Sequence, residues 1–370
     1  MKKNYFKIGF LDLYLRKIIK FVIRRYYLKN IKQLGDIVEK QLMKLSIEIT
    51  NICNANCQFC GYKYLKRDKF ILSNEQFQLI LNKYVECGGG DLKVTPIVGD
   101  PLIDKNLIKK IKMAKAKKEI KSIDFFTNLI GLKNFNISEL IMSGIDELQI
   151  SACIYDRQMY KRIFGVDQYD NVLNNLKVLI VENKRLNNKV HININQICEK
   201  PYSNIFLSKD YKEVSKLFGS PIPIRDDDYD NWTGLIKKKD LPKGQRFRKI
   251  KDLREPCSQF YNGVIVLMNG DIDPCWCRDV EAQLVIGNIY EDSLYNIWTG
   301  AKIKELRENW WKGNFPAVCK NCSMYTSLSE FLLENGNKIL GKEMLIEKIS
   351  KYLYKFMAKF RGMLNRKIRF

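Results

Sequence analysis

Ile49-Thr50-Asn51-Ile52-Cys53-Asn54-Ala55-Asn56-Cys57-Gln58-Phe59-Cys60-Gly61 places three thiols within eight residues, at C-x3-C-x2-C spacing, just after a β-patterned run from Leu45 to Thr50. Thiolates this close can wrap one face of a cubane iron–sulfur cluster, yet a cluster that only passes electrons takes four protein sulfurs. Three leave one iron open, and an open position on a metal marks a catalytic rather than a structural site. A structural zinc would need a fourth ligand close by, and the only histidine, His191, lies far along the chain.

With Phe59 before the third cysteine, the motif resembles that of the radical S-adenosylmethionine (radical SAM) superfamily, and the resemblance covers roughly residues 41–330. It implies that the methionyl amine and carboxylate of S-adenosylmethionine chelate the open iron. It also implies that one-electron reduction yields a 5′-deoxyadenosyl radical, the cofactor carrying the hard chemistry while the protein positions it. An external reductant such as flavodoxin or ferredoxin is the partner that this chemistry requires.

From Leu45 onward, strand-like runs (45–50, 92–98, 121–127, 146–152, 190–196, 222–225) alternate with helical periodicity (about 73–86, 104–117, 136–143, 168–182 and 205–217). Repeated βα units predict an α/β fold with a parallel sheet and right-handed crossovers. The pattern alone also allows a doubly wound sheet; the resemblance implies a partial (β/α)6 TIM-like barrel. In either, ligands gather beyond the C-terminal ends of the strands.

Several motifs fall at such ends. Val98-Gly99-Asp100-Pro101 looks like the family's glycine-rich motif, so that Gly99 and Asp100 would hold the cofactor's amino group, with Asp in place of the usual Glu. Thr127-Asn128 is similar to a Thr-Asn-Gly turn of these enzymes, with Leu129 replacing glycine. Ser151 takes the place of a serine that bonds the cofactor's ribose or carboxylate, and Arg162 could pair with that carboxylate through its planar guanidinium. Phe59 counts with these as cofactor-binding. Arg225-Asp-Asp-Asp-Tyr-Asp-Asn-Trp-Thr-Gly234 follows the last strand and could face a polar substrate, with Arg225, Asp226 and Asp228 as candidate catalytic groups. A solvated acidic loop reads equally well.

A second set begins at Cys257. The run 263–268, a type I′ turn at Asn269-Gly270 and the run 271–275 read as a hairpin delivering Cys275; a helix over 293–307 and Cys319-x2-Cys322 follow. Cys257, Cys275, Cys319 and Cys322 suffice for a closed cubane, although four thiolates also suit zinc. The Gly287–Trp298 string resembles a SPASM/twitch domain, a small α+β auxiliary iron–sulfur domain, and four placed cysteines resemble the shortened twitch form with one auxiliary 4Fe–4S cluster. Cys277 could substitute for Cys275. Cys87, Cys153 and Cys198 read as buried small residues. The expected organisation is a basic amphipathic helix (1–40), the barrel (41–236), a linker (237–256), the auxiliary domain (257–330) and a basic amphipathic tail (331–370).

The net charge of +23 sits mostly in the two ends. That distribution argues against a nucleic-acid groove, which interleaves basic residues with aromatics. It allows peripheral contact with an anionic membrane surface through both ends, at the inner face of the membrane. Eleven cysteines at metal-type spacings suggest the reducing cytoplasm. The expected activity is oxidation of an alcohol on a polar small molecule, a sugar or cyclitol; the alternative is maturation of a ribosomally made peptide.

Overall fold

The computed structural model describes residue 21, residues 24–224 and residues 228–339. The chain forms two compact units: one from the terminal segments with Arg254–Tyr261, the other from Leu42–Leu253 and Asn262–Tyr325.

The larger unit is built on one eight-stranded sheet in the order β5-β4-β3-β2-β1-β6-β7-β8. β1 (Lys44–Ile47), β2 (Gly90–Lys93), β3 (Ile120–Thr127), β4 (Glu147–Ala152) and β5 (His191–Gln196) are parallel throughout. The expected sixth strand over 222–225 shrinks to a single bridge, Gln196 to Ile224. Pro221 and Pro223 explain this, because proline has no N–H to give a ladder. On the far side of β1, β6 (Gly263–Val266) pairs in parallel, and β7 (Asp271–Asp273) and β8 (Gly287–Asn288) continue antiparallel. The auxiliary segment therefore extends the barrel sheet.

The β6–β7 connection corrects the expected type I′ turn. Gly270 alone has positive φ (88°), its N–H donates to Leu267 O at 2.9 Å, and Leu267 N donates to Asp271 O at 2.8 Å. Two left-handed residues would be needed for type I′; one left-handed glycine makes a longer, bulged closure. The helix expected over 293–307 is two, Leu294–Thr299 and Ala301–Trp311, because Gly300 takes an extended conformation between them. The helix Arg157–Phe164 was not anticipated, although Asp156 caps its start and Gly165 (φ 68°) ends it.

Each strand alternates. Leu45, Leu92, Ile123, Phe125, Leu148, Ile150, Ile192 and Ile194 are buried, as are Phe77, Ile80, Leu81, Leu107, Ile111, Leu176 and Leu179 on the intervening helices. Each such side chain contributes roughly 1.5–3 kcal/mol by leaving water. The other face is polar: Lys93, Asp124, Glu147, Gln149, Ser151, Asn193 and Asn195 are only partly buried.

In the terminal unit, a helix over residues 24–38 buries Tyr27, Leu34 and Val38, and Gly35 lies directly on Tyr261 and Leu328. Tyr26 is buried as well. Residues 1–20 and 340–370, which carry most of the two basic amphipathic segments, lie outside the described residues. Among the described residues no helix is long and apolar enough to cross a membrane.

Candidate active site

The cysteine loop leaves β1 and is fixed by main-chain bonds on both sides. Asp100 N–H donates to Ile52 O at 2.9 Å, Asn56 N–H to Phe164 O at 2.9 Å and Gln58 N–H to Ile163 O at 3.0 Å. The helix Arg157–Phe164 is thus the loop's seat. The Cys60 sulfur accepts the Tyr62 N–H at 3.4 Å, and the N–H groups of Ala55 and Asn54 bond the Cys53 sulfur. Burial, then the Asp100 charge, push the Cys53 thiol up to about 12; burial pushes Cys60 up to about 11. Burial and the neighbouring thiols raise Cys57 well above its usual range. Tyr160, fully buried, interacts with Cys57 and Cys53, and its hydroxyl has no partner among the described residues. Among the described residues no group of three histidine, cysteine, aspartate or glutamate side chains is placed to hold a single metal ion; three interacting thiols, N–H donors directed at sulfur and an orphan hydroxyl beside them instead fit the larger 4Fe–4S cluster on Cys53, Cys57 and Cys60.

Gly99 has φ 134°, and a Cβ there would lie 3.0 Å from the Asn51 backbone, so the turn after β2 packs straight onto the start of the cysteine loop. Asp100 differs from expectation in its contacts. Its carboxylate, 2% exposed, accepts the Leu102 N–H at 3.0 Å, the Asn128 N–H at 2.7 Å and the Thr127 hydroxyl at 3.0 Å from both oxygens. It clamps the ends of β2 and β3 together through donors of its own chain. Burial, opposed by these bonds, still raises it to about 6. Thr127 is spent on this clamp and on Leu129 N–H (2.9 Å), while Asn128 Nδ2 reaches Asn54 Oδ1 at 2.8 Å and the Cys53 sulfur at 3.7 Å. Leu129, at the position where the resembling turn has glycine, is left-handed (φ 68°) and held by Asn175, which donates to its carbonyl at 2.9 Å. Asp100→Ala is expected to cost roughly 2–4 kcal/mol, since hydrogen bonds to a charged group contribute about 1.5–3 kcal/mol each before relaxation; urea unfolding measures it.

The remaining candidates separate. Phe59 packs edge-on against Phe164 and Tyr229, with centroids 6.1 and 5.8 Å away. Ser151 sits on the polar face of β4. Arg162, exposed, pairs with Glu199 at 2.9 Å, so its guanidinium is engaged by a carboxylate of this chain. Asp228 pairs with Arg246. Arg225 and Asp226 lie outside the described residues. His191 is exposed at the start of β5, the opposite end from the cysteine loop.

Of the second cysteine set, Cys257 belongs to the terminal unit, where it bridges Ser327. Cys275, Cys277, Cys319 and Cys322 belong to the larger unit. Cys275 and Cys277 share a hydrogen bond, and Cys322 interacts with both. Cys277 thus stands among the auxiliary thiols. The next residue, Arg278, donates to both oxygens of Asp230 (2.7 and 2.9 Å) and lies 4.4 Å over the Trp232 ring. Trp232 in turn covers Gly61, where a Cβ would meet its ring at 2.5 Å. One buried core joins Ile97 and Val98, Trp232, Ile236, Leu241, Ile265 and Val280, with Cys60, Trp276 and Phe247 against it. Leu241 and Phe247 come from the stretch read as a linker, which is packed. Sequence reasoning missed Arg278 and Trp276; the only signal was their place between and beside the auxiliary cysteines.

Residues 47–194 match the family model of the radical SAM superfamily, and residues 257–323 match that of the SPASM iron–sulfur cluster-binding domain. The chain thus carries a radical SAM domain followed by a SPASM domain. Within that superfamily, the second match places the chain in the SPASM/twitch subgroup, whose members use S-adenosylmethionine, a 4Fe–4S cluster and auxiliary iron–sulfur clusters. A probable GTP 3′,8-cyclase of Saccharolobus islandicus (strain M.14.25 / Kamchatka #1) is 28% identical over 141 residues, which span 38% of this chain and 44% of that relative. The match thus covers less than half the relative's length. The crystal structure of BtrN in complex with AdoMet and 2-DOIA superposes with a TM-score of 0.51 at 16% identity, over 78% of this chain and 96% of that one. Streptococcus suis SuiB bound to its precursor peptide SuiA gives 0.52 at 15% identity, over 83% and 74%. At such identities the likeness is one of fold.

Proposed function

We propose that this chain is a radical SAM oxidoreductase that oxidises an alcohol on a polar small molecule. The observation that carries the reading is the packed connection between the two cysteine sets: Arg278 beside Cys277, Asp230, Trp232, and Gly61 beside Cys60. A hydrogen-atom abstraction followed by loss of a proton leaves one electron to remove, and an acceptor fixed in the same body suits that need. When bound, the cofactors supply the 5′-deoxyadenosyl radical and that electron acceptor. Cys53, Cys57 and Cys60 would hold the first cluster; in the larger unit Cys275, Cys319 and Cys322 would hold the second, with Cys277, hydrogen-bonded to Cys275, as a further thiol.

The chain's own residues do the remaining work. Asp100, Thr127 and Asn128 fix the loop geometry, and the aromatic wall of Phe59, Phe164 and Tyr229 keeps water from it. The proton of the hydroxyl is assigned to the acidic stretch before Trp232. Asp230 is held by the partly buried Arg278, whereas Asp228 meets only the exposed Arg246, an ion pair of little strength; Asp226 and Asp228 are the candidate bases, with Arg225 as an alkoxide contact. Asp226→Asn or Asp228→Asn, whichever removes the base, is expected to lower kcat about 10²–10⁴-fold while S-adenosylmethionine cleavage persists; full turnover in both variants would remove the assignment. Anaerobic incubation with dithionite and S-adenosylmethionine tests the whole reading: 5′-deoxyadenosine release supports it, and none from a fully reconstituted sample contradicts it.

A further inference from the structure

The surface laid over the cysteine loop is cationic, and it is fastened to that loop from both sides. On one side residues 68–72 run against 49–51. Asn51 Nδ2 donates to Asp68 O at 2.8 Å, Phe70 N–H to Asn51 Oδ1 at 3.1 Å, the Thr50 hydroxyl to Phe70 O at 2.9 Å and Leu72 N–H to Ile49 O at 2.8 Å. On the other side the turn Gly61–Tyr64 follows Cys60 directly. There Lys63 Nζ donates to Gln58 O at 3.2 Å and the Tyr62 hydroxyl to Cys53 O at 3.5 Å. Lys63 also pairs with Asp240 at 2.8 Å, which brings the 237–240 turn alongside.

Six lysines of these segments are exposed, Lys63, Lys66, Lys69, Lys237, Lys238 and Lys239, against three adjoining acids, Asp68, Asp240 and Glu281. Two of the acids are engaged: Asp240 by Lys63 and the Lys237 N–H, both at 2.8 Å, and Glu281 by the Lys66 N–H at 2.7 Å. Phe70 and Ile71, 51% and 39% exposed, stand in the same stretch, an apolar centre beside a charged rim. Most lysine runs are only a solvated face; this one is hydrogen-bonded to the loop that would carry the reacting cluster.

We infer that this face docks an acidic one-electron carrier protein, so that the electron enters beside Cys53, Cys57 and Cys60. The inference rests on the radical reading above and adds the surface through which its electrons arrive. One electron leaves the carrier's anionic flavin hydroquinone, which becomes the neutral semiquinone without losing a proton, and reduces the cluster by one. Electron transfer falls off steeply with distance, so a donor gains most by docking over the loop itself, and opposite charge speeds the encounter. A nucleic acid would need aromatic faces free for stacking. Here Lys69 Nζ lies 5.1 Å from the Tyr62 ring centroid and Lys63 Nζ 5.3 Å from that of Tyr64, so both rings already carry a cation.

Reduced flavodoxin of net negative charge is the probe, and dithionite, a small ion that needs no docking, is the control reductant. With reconstituted holoprotein under argon at low ionic strength, Lys66→Glu/Lys69→Glu is expected to release 5′-deoxyadenosine about tenfold more slowly from flavodoxin and at the wild-type rate from dithionite. Calorimetric titration with flavodoxin should show about tenfold weaker binding by the same variant. Added salt should slow the wild type with flavodoxin and close most of the gap. Lys184→Glu/Lys189→Glu, at the His191 end of the sheet, changes the net charge equally and should match the wild type. Equal flavodoxin rates in wild type and Lys66→Glu/Lys69→Glu, equal loss in the two variants, or loss with both reductants overturns the docking face. Single-stranded RNA binding there more tightly than flavodoxin overturns it as well. No 5′-deoxyadenosine from dithionite contradicts the radical reading alone; flavodoxin binding weakened only in Lys66→Glu/Lys69→Glu then still supports the face.

Discussion

Cys57→Ala protein, reconstituted with iron and sulfide under argon, is expected to release no 5′-deoxyadenosine above a protein-free control while keeping the iron of its auxiliary cysteines. Three thiolates are the fewest that leave a single iron open; with two, the cubane loses a corner and the cofactor loses a defined site. Cys57 is also the thiol on which burial and both neighbouring thiols act together. The reciprocal variant, Cys275→Ala, should keep S-adenosylmethionine cleavage and lose oxidised product. Iron and sulfide analysis with chromatography of the nucleoside checks both. Unchanged release from Cys57→Ala would mean that the sulfurs of this loop do not hold the reacting cluster.

The second large effect concerns Arg67. Its guanidinium holds Glu48 at 2.8 and 2.9 Å and donates to the Val280 carbonyl at 2.9 Å, so it ties the end of β1 to the auxiliary loop. The Glu48 side chain has no solvent exposure. Arg67→Met is expected to cost roughly 3–5 kcal/mol, because it leaves a buried carboxylate without its partner. Against a typical total of about 5–15 kcal/mol, that is enough to unfold part of the population at ambient temperature. The double variant Glu48→Met/Arg67→Met should recover most of the loss, since two apolar side chains carry no stranded charge. Urea unfolding of both gives the answer, and a double variant no better than the single would show that packing of the arginine stem, rather than charge, matters here.

Much of this was readable from residues alone, and the gaps have physical causes. Thiol spacing and βα periodicity identified the cysteine loop, five of the six strands and the family. Pro221 and Pro223 stood in the sequence as reason to doubt the sixth strand; that β6 joins β1 on the opposite edge was not legible, because strand pairing is decided by tertiary packing. The role expected of Asp100 came from its position in a motif; its observed partners, Thr127 and the Asn128 N–H, lie a strand away in sequence. Arg162 looked available because a sequence does not show Glu199 beside it. The alternation His-Ile-Asn-Ile-Asn-Gln over 191–196 carried more than it was read for. It marks a strand, and it also marks the partly buried polar face of the sheet.

The most direct test places isotope on the cofactor's methionyl nitrogen and reads the reduced N-terminal cluster by electron–nuclear double resonance. A hyperfine coupling from the labelled nitrogen, absent in Cys57→Ala protein, is the predicted result, because it requires an iron that no side chain of this chain occupies. A reduced cluster with no coupling to the label, or zinc in place of iron at Cys53, Cys57 and Cys60, would contradict the account.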